Sequence, residues 1–167
     1  MSEQNVNNLP AIEDAIVKKL TGEIQKNTLD FIASMRENGF SFDAFDTGDV
    51  HSGEVRWSPA YKGESFGCAA VSDCFMFWIG LDWCFDDNEL ADENLKEFVW
   101  SHVVVCPQEK YCKPPYCEGS KNRWKIFRKE YESTCHAPLA FFGPDAIALD
   151  NIIKLLLMTK IRNSKGE

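Results

Sequence analysis

VRWSPAYKGESFGCAAVSDCFMFWIGL, residues 55–81, decides the fold. VRWSPAY and SFGCAAV flank the turn Lys62-Gly63-Glu64, and Ser72-Asp73 separates SFGCAAV from CFMFWIGLDW. Short runs rich in aromatic and β-branched residues, broken by Gly, Asp and Ser, are the punctuation of strands and turns. Three consecutive antiparallel strands are therefore predicted. CFMFWIGL is almost continuously apolar, as in a central strand covered on both faces. Its neighbour carries small residues at Gly67, Ala69 and Ala70, where another backbone comes close or the strand bulges.

Outward from this meander the period changes. AIEDAIVKKL places Ile12, Ala15, Ile16 and Leu20 at helical spacing, and Thr21-Gly22 interrupts it. A second helix is predicted from about Glu23 to Asn38, burying Ile24, Phe31, Ile32 and Met35 and closing at Gly39 with a left-handed cap. FSFDAFDTGDVHSGE, rich in turn formers, reads as a loop or a loosely paired strand. On the other side, DDNELADENLKEFVWSHV reads as a helix with an acidic first turn, Leu95, Phe98 and Val99 facing inward. VVVC enters a cysteine-rich loop, and WKIFRKEY and STCHAPLAFF read as two further strands. Gly143-Pro144 opens a last helix through about Ile161, with Ile152, Ile153, Leu156 and Leu157 as its packing stripe. The expected architecture is one α+β domain over residues 1–167. An antiparallel sheet is packed by amino- and carboxy-terminal helices, and the cysteine-rich loop projects from the sheet or staples one edge.

Composition sets the chemical context. A chain of 167 residues, 44% hydrophobic, can bury about 70% of its unfolded surface without cross-links. MSEQNVNNLP lacks the charged start and apolar core of a secretory signal, and FMFWIGL is too short to span a bilayer. The expectation is a soluble cytoplasmic protein. In a reducing compartment seven cysteines serve as thiols, metal ligands or redox groups, and their odd number argues against a fully paired disulfide framework. The net charge of −8 repels nucleic acid and anionic lipid on average.

Four of the cysteines and the positive charge gather in CPQEKYCKPPYCEGSKNRWKIFRKEYESTCH, Cys106 to His136. Cys106, Cys112 and Cys117 are spaced C-x5-C-x4-C, and Cys135 follows with His136 beside it. Zinc needs four donors about 2.0–2.3 Å from one point, which turns at Pro107, Pro114, Pro115 and Gly119 help to arrange. The preferred set is Cys106, Cys112, Cys117 and Cys135. Four protein donors leave no open position, so such a zinc is structural and not hydrolytic. His136 either replaces one cysteine, orients a ligand or faces solvent. Metal-free structural thiols remain an alternative. So does a reversible disulfide or redox switch, assisted by basic neighbours that lower thiol pKa values. The H-x-E and P-C-x-x-C pair of nucleoside deaminases is absent.

Residues 107–131 carry seven Lys/Arg against three Glu, a local excess that suits an anionic partner. Alternation in RWKIFRKEY is equally that of a half-buried strand. The acidic balance of the whole chain also opposes the long-range attraction on which nucleic-acid affinity depends. The aromatic residues Trp57, Tyr61, Trp78 and Trp83 are candidates to line a cavity for a flat or apolar small molecule, with His51, Glu54 and Arg56 as the nearest polar groups. Ordinary packing between meander and helices accounts for them too. No nucleophile, base and orienting group assemble into a catalytic set, and no phosphate-cradling glycine loop is present.

TGEIQKNTLDFIASMREN, YKGES, the cysteine loop, IFRKEYESTC and GPDAIALDNIIKLL together resemble, in the same order over most of the chain, a family of small uncharacterised proteins from anaerobic Gram-positive bacteria. The resemblance implies a shared α+β domain with Cys106, Cys112, Cys117 and Cys135 at matching loop and strand positions. The wider C-x5-C-x4-C departs from that family's tighter cysteine spacing, and the family supplies no activity to carry over. The reading that follows is a cytoplasmic protein with a structural zinc site and a binding, non-catalytic role. The alternatives are a small-molecule-binding or sensor domain using the aromatic cavity, and a thiol switch. Its expected partners are a small ligand or another protein.

Overall fold

In the computed structural model, residues 9–46, 55–80, 92–105 and 122–163 are described. The chain gathers into two compact units, Met1–Phe77 with Phe142–Glu167, and Trp78–Phe141. Helices and an antiparallel sheet make it an α+β protein, as the sequence predicts.

The first unit opens with α1 (Ile12–Lys19) and α2 (Gly22–Glu37). Ile12, Ala15, Ile16 and Leu20 are buried, as their spacing requires. On α2 the buried stripe is Thr28, Phe31, Ile32 and Met35. Ile24, expected inside, is 50% exposed because it sits one turn before that stripe begins. Gly39 ends the helix at φ +85°, and a Cβ there would stand 3.3 Å from the Tyr61 ring, so position and neighbour both favour glycine.

FSFDAFD is a full strand, β1 (Phe40–Asp46), and not a loop. It pairs antiparallel with β2 (Val55–Tyr61) from Phe40↔Tyr61 to Asp46↔Val55. The turn formers in the sequence follow the strand; within it Phe40 and Phe42 alternate inward with exposed Ser41 and Asp43. Lys62 (φ 51°) and Gly63 (φ 83°) make the tight turn to β3 (Glu64–Ser65), and β4 (Gly67–Val71) pairs with β2 through Trp57↔Ala69. β5 (Phe75–Ile79) lies beside β4. Its burial alternates, Phe75, Phe77 and Ile79 buried with Met76 and Trp78 half-buried, instead of being complete on both faces. Phe31 of α2 meets Phe75 and Phe77 at ring separations of 5.8 and 5.5 Å, seating the helix on this face.

In the second unit α3 (Glu93–Ser101) starts at Asp92, whose carboxylate accepts the Leu95 N–H at 2.8 Å. Leu95 and Val99 are buried as expected, and Phe98 is half-buried. The part of the predicted helix before Asp92 lies outside the described residues. β6 (Val103–Val105) follows, then β7 (Asn122–Ile126) and β8 (Lys129–Phe142). WKIFRKEY is therefore not one strand: it turns at Phe127 (φ 47°) and Arg128 (φ 68°), and β8 runs on unbroken through STCHAPLAFF. Two non-glycine residues at positive φ cost about 1–2 kcal/mol each. Burying Phe127, 2% exposed, offsets about that much. On the strands either side, the Trp100 indole donates to the Ile126 carbonyl at 2.9 Å and the Lys129 ammonium lies 4.8 Å from the Trp100 ring.

The chain returns to the first unit for α4 (Ala146–Asn163), capped by Asp145, whose carboxylate accepts the Ala148 N–H at 2.8 Å. Its buried stripe is Leu149, Ile152, Leu155 and Leu156. Ile153 and Leu157, expected within it, are half-buried, because spacings of three and four put Leu149 and Leu155 on the inner face instead.

Phe31→Ala is expected to destabilise the protein by about 3–5 kcal/mol, because it removes the ring that meets both β5 phenylalanines. A lower urea midpoint with an unchanged slope checks it. A smaller, pH-dependent term comes from Glu13, which Arg36 of α2 grips at 2.6 and 3.2 Å. Burial raises the Glu13 pKa, but the Arg36 hydrogen bond, a backbone hydrogen bond and the Arg36 charge leave it below its ordinary 4.5. A carboxyl depressed in the folded state stabilises above its unfolded pKa, and that contribution is lost as pH falls through the folded value. With both side chains more than a third exposed, Glu13→Gln should cost under about 1 kcal/mol at neutral pH. The two urea midpoints should converge as pH approaches about 2.

Candidate functional site

Two places in the fold bring chemistry-bearing residues together. The first is a cleft of 290 Å³ between α1 and the face of β2 and β4. The register Trp57↔Ala69, with alternation along each strand, puts Val55, Trp57, Ala69 and Val71 on one face. Trp57 is 2% exposed, and its indole N–H donates to the Pro10 carbonyl at 3.0 Å, which fixes the entry to α1 above the strand. At the other end of the helix the Lys19 ammonium donates to the Val71 carbonyl at 3.0 Å. Asp14 and Lys18, one turn apart on α1, also line the cleft. Among the described residues none of these three charged groups forms an ion pair.

Of the aromatic candidates, Trp57 lines this cleft. Tyr61 shares its face of β2 but is four residues on, about 13 Å along the strand, against Phe40 at a ring separation of 5.4 Å. Trp78 stands on β5, on the side opposite Phe77 and Ile79. Trp83, His51 and Glu54 lie outside the described residues. Arg56 is on the opposite face of β2 from Trp57, on the side of half-buried Cys68, whose thiolate its charge favours. Burial pushes that thiol above its ordinary 9.0, against the opposing charge of Arg56.

The second place is the middle of β8. Thr134 pairs with Val105 of β6 and also with Asn122 of β7, the described residues that precede and follow positions 106–121. Cys106, Cys112 and Cys117 belong to that segment, outside the described residues. Cys135 and His136 are strand positions of β8 directly after Thr134. Among the described residues no group of three or more His, Cys, Asp or Glu side chains gathers to hold a metal.

The face of the β7–β8 hairpin there carries half-buried Trp124 and Tyr131 beside buried Thr134. Trp124 and Tyr131 are directly paired. One extra residue of β8 between Glu132 and Thr134 brings Thr134 round to the same face. The Trp124 Nε1, Tyr131 Oη and Thr134 Oγ1 atoms are all buried and, among the described residues, without a hydrogen-bond partner. Burial, with the Glu97 charge added, raises the Tyr131 pKa. Sequence reading saw in RWKIFRKEY the alternation of a half-buried strand but missed both this polar group and the lysines of the cleft. No sequence signal links Lys19 to a carbonyl 52 residues away.

Compared with family models, curated proteins and solved structures, the chain matches none. Among the described residues no helix is long and apolar enough to cross a membrane.

Because Arg56 favours the Cys68 thiolate, Arg56→Leu should move the midpoint of the Cys68 alkylation pH profile further upward. Mass-spectrometric alkylation rates across pH 7 to about 10 check this, and an unchanged midpoint contradicts it.

Proposed function

We propose that this is a cytoplasmic binding protein, not a catalyst, in which a structural zinc ion held by Cys106, Cys112, Cys117 and Cys135 fastens residues 106–121 onto β8. The observation that supports this reading is the double pairing of Thr134. Val105 immediately precedes Cys106, and Thr134 immediately precedes Cys135. One peptide step spans about 3.8 Å and directly paired residues about 4.5–5.5 Å, so covalent geometry keeps the first and last cysteines of the set in one neighbourhood. The two middle cysteines lie on the chain between these anchor points. Ordering such a segment costs about 1–2 kcal/mol per residue, and it has little apolar content with which to offset that. A metal bound by thiolates contributes about 10 kcal/mol or more toward that cost in small zinc sites. The unpartnered polar atoms of Trp124, Tyr131 and Thr134 fit the same picture, since a segment closed over them would bring partners.

Protein purified without added metal should contain about one equivalent of zinc per chain. Chelation should release it and raise the number of titratable thiols, and Cys135→Ser should reduce the zinc content. Acidification should do the same, because the ligands must be thiolates. Less than about a tenth of an equivalent, with thiol accessibility indifferent to chelation, would overturn the reading. A thiol count that instead changes reversibly under mild oxidation would favour the redox alternative.

A further inference from the structure

We propose that the cleft between α1 and strands β2 and β4 binds a small aliphatic monocarboxylate, a function separate from any metal on β8. The cleft has the two ends such a ligand requires. At one end are Lys18 and Lys19, neither of them in an ion pair among the described residues. The Lys19 ammonium is held 3.0 Å from the Val71 carbonyl. A carbonyl is neutral, so this contact positions the cation without cancelling its charge and uses one of its three donors. Two lysines outside any ion pair among the described residues stand out in a chain of net charge −8. The remaining wall is apolar, with Ala15 on the helix facing Val55, Trp57 and Val71 across 290 Å³.

Charge and polar inventory select the ligand class. Asp14 on the same wall reduces the cleft to a net single positive charge. That suits a monoanion and not a phosphate dianion, which calls for several converging donors such as Arg forks or backbone N–H groups. Trp57 contributes only apolar surface, because its sole donor is already committed to Pro10. An acid of about four to six carbons buries its chain against these residues and leaves the carboxylate at the two ammonium groups.

The test uses the full chain labelled with ¹⁵N and titrated with hexanoate, hexanol and hexylammonium at low ionic strength. Hexanoate should shift the amide resonances of Ala15, Lys18, Lys19, Val55 and Val71 saturably, with Kd of about 1 mM. Hexanol should bind about tenfold more weakly, and hexylammonium should give no saturable shift. Lys18→Gln and Lys19→Gln should each weaken hexanoate several-fold while the rest of the spectrum stays in place. Equal affinity for hexanoate and hexanol, shifts confined to other residues, or no saturable shift for any of the three on the unaltered protein would overturn the proposal. The outcome is independent of zinc content, so repeating the titration after chelation separates it from the metal reading.

Discussion

Leaving a buried indole N–H without an acceptor costs free energy, and the first unit is organised around avoiding that cost at Trp57. The acceptor is the carbonyl of Pro10, 47 residues away. Meeting it draws the start of the chain onto the face of β2 and sets where α1 begins. Lys19 then ties the far end of α1 to Val71, so an eight-residue helix, too short to be stable alone, is held to the sheet at both ends. Ala69, directly across from Trp57, leaves room for the indole. Between the two ties lies the cleft, which is thus a by-product of how the helix is anchored.

The second unit is governed by β8, whose fourteen residues pair with both β6 and β7. Its hairpin with β7 turns through Phe127 and Arg128, neither of which favours positive φ. Burial of the Phe127 ring and the grip of Trp100 on Ile126 and Lys129, one on each side of the turn, hold it there. A strained turn kept by tertiary contacts fixes the register that follows, and the register is what sets Thr134 opposite both Val105 and Asn122. The position of Cys135 relative to the ends of the cysteine segment therefore depends on a turn more than five residues upstream.

These two places differ in the physics they offer. The cleft is an electrostatic and apolar surface, sensitive to ionic strength and to the lysines. The β7–β8 face instead holds buried polar atoms without partners among the described residues. Cys68 belongs to neither. Its thiol is held protonated at neutral pH by burial, with Arg56 only moderating that effect, which makes it a poor nucleophile and a packing residue of β4.

Much of the α+β layout was legible in the sequence. Helical spacing in AIEDAIVKKL, the Lys62-Gly63 turn and the apolar run of β5 are local signals, and local signals survive into the fold because they reflect backbone preference and burial of one face. Failures came where a long-range contact overrode a local one. FSFDAFD, legible as either a loop or a strand, was decided by β2, which was there to pair with it, and the Phe127-Arg128 turn carried no glycine or asparagine to announce it. The candidate sites divide the same way. Cysteine spacing, the basic stretch and the aromatic content were fixed by the residues themselves. Which of them meet was decided by strand register and by two side-chain bonds spanning 47 and 52 residues, and sequence separation of that order has no periodic signature, because only the folded chain brings such groups within hydrogen-bonding distance.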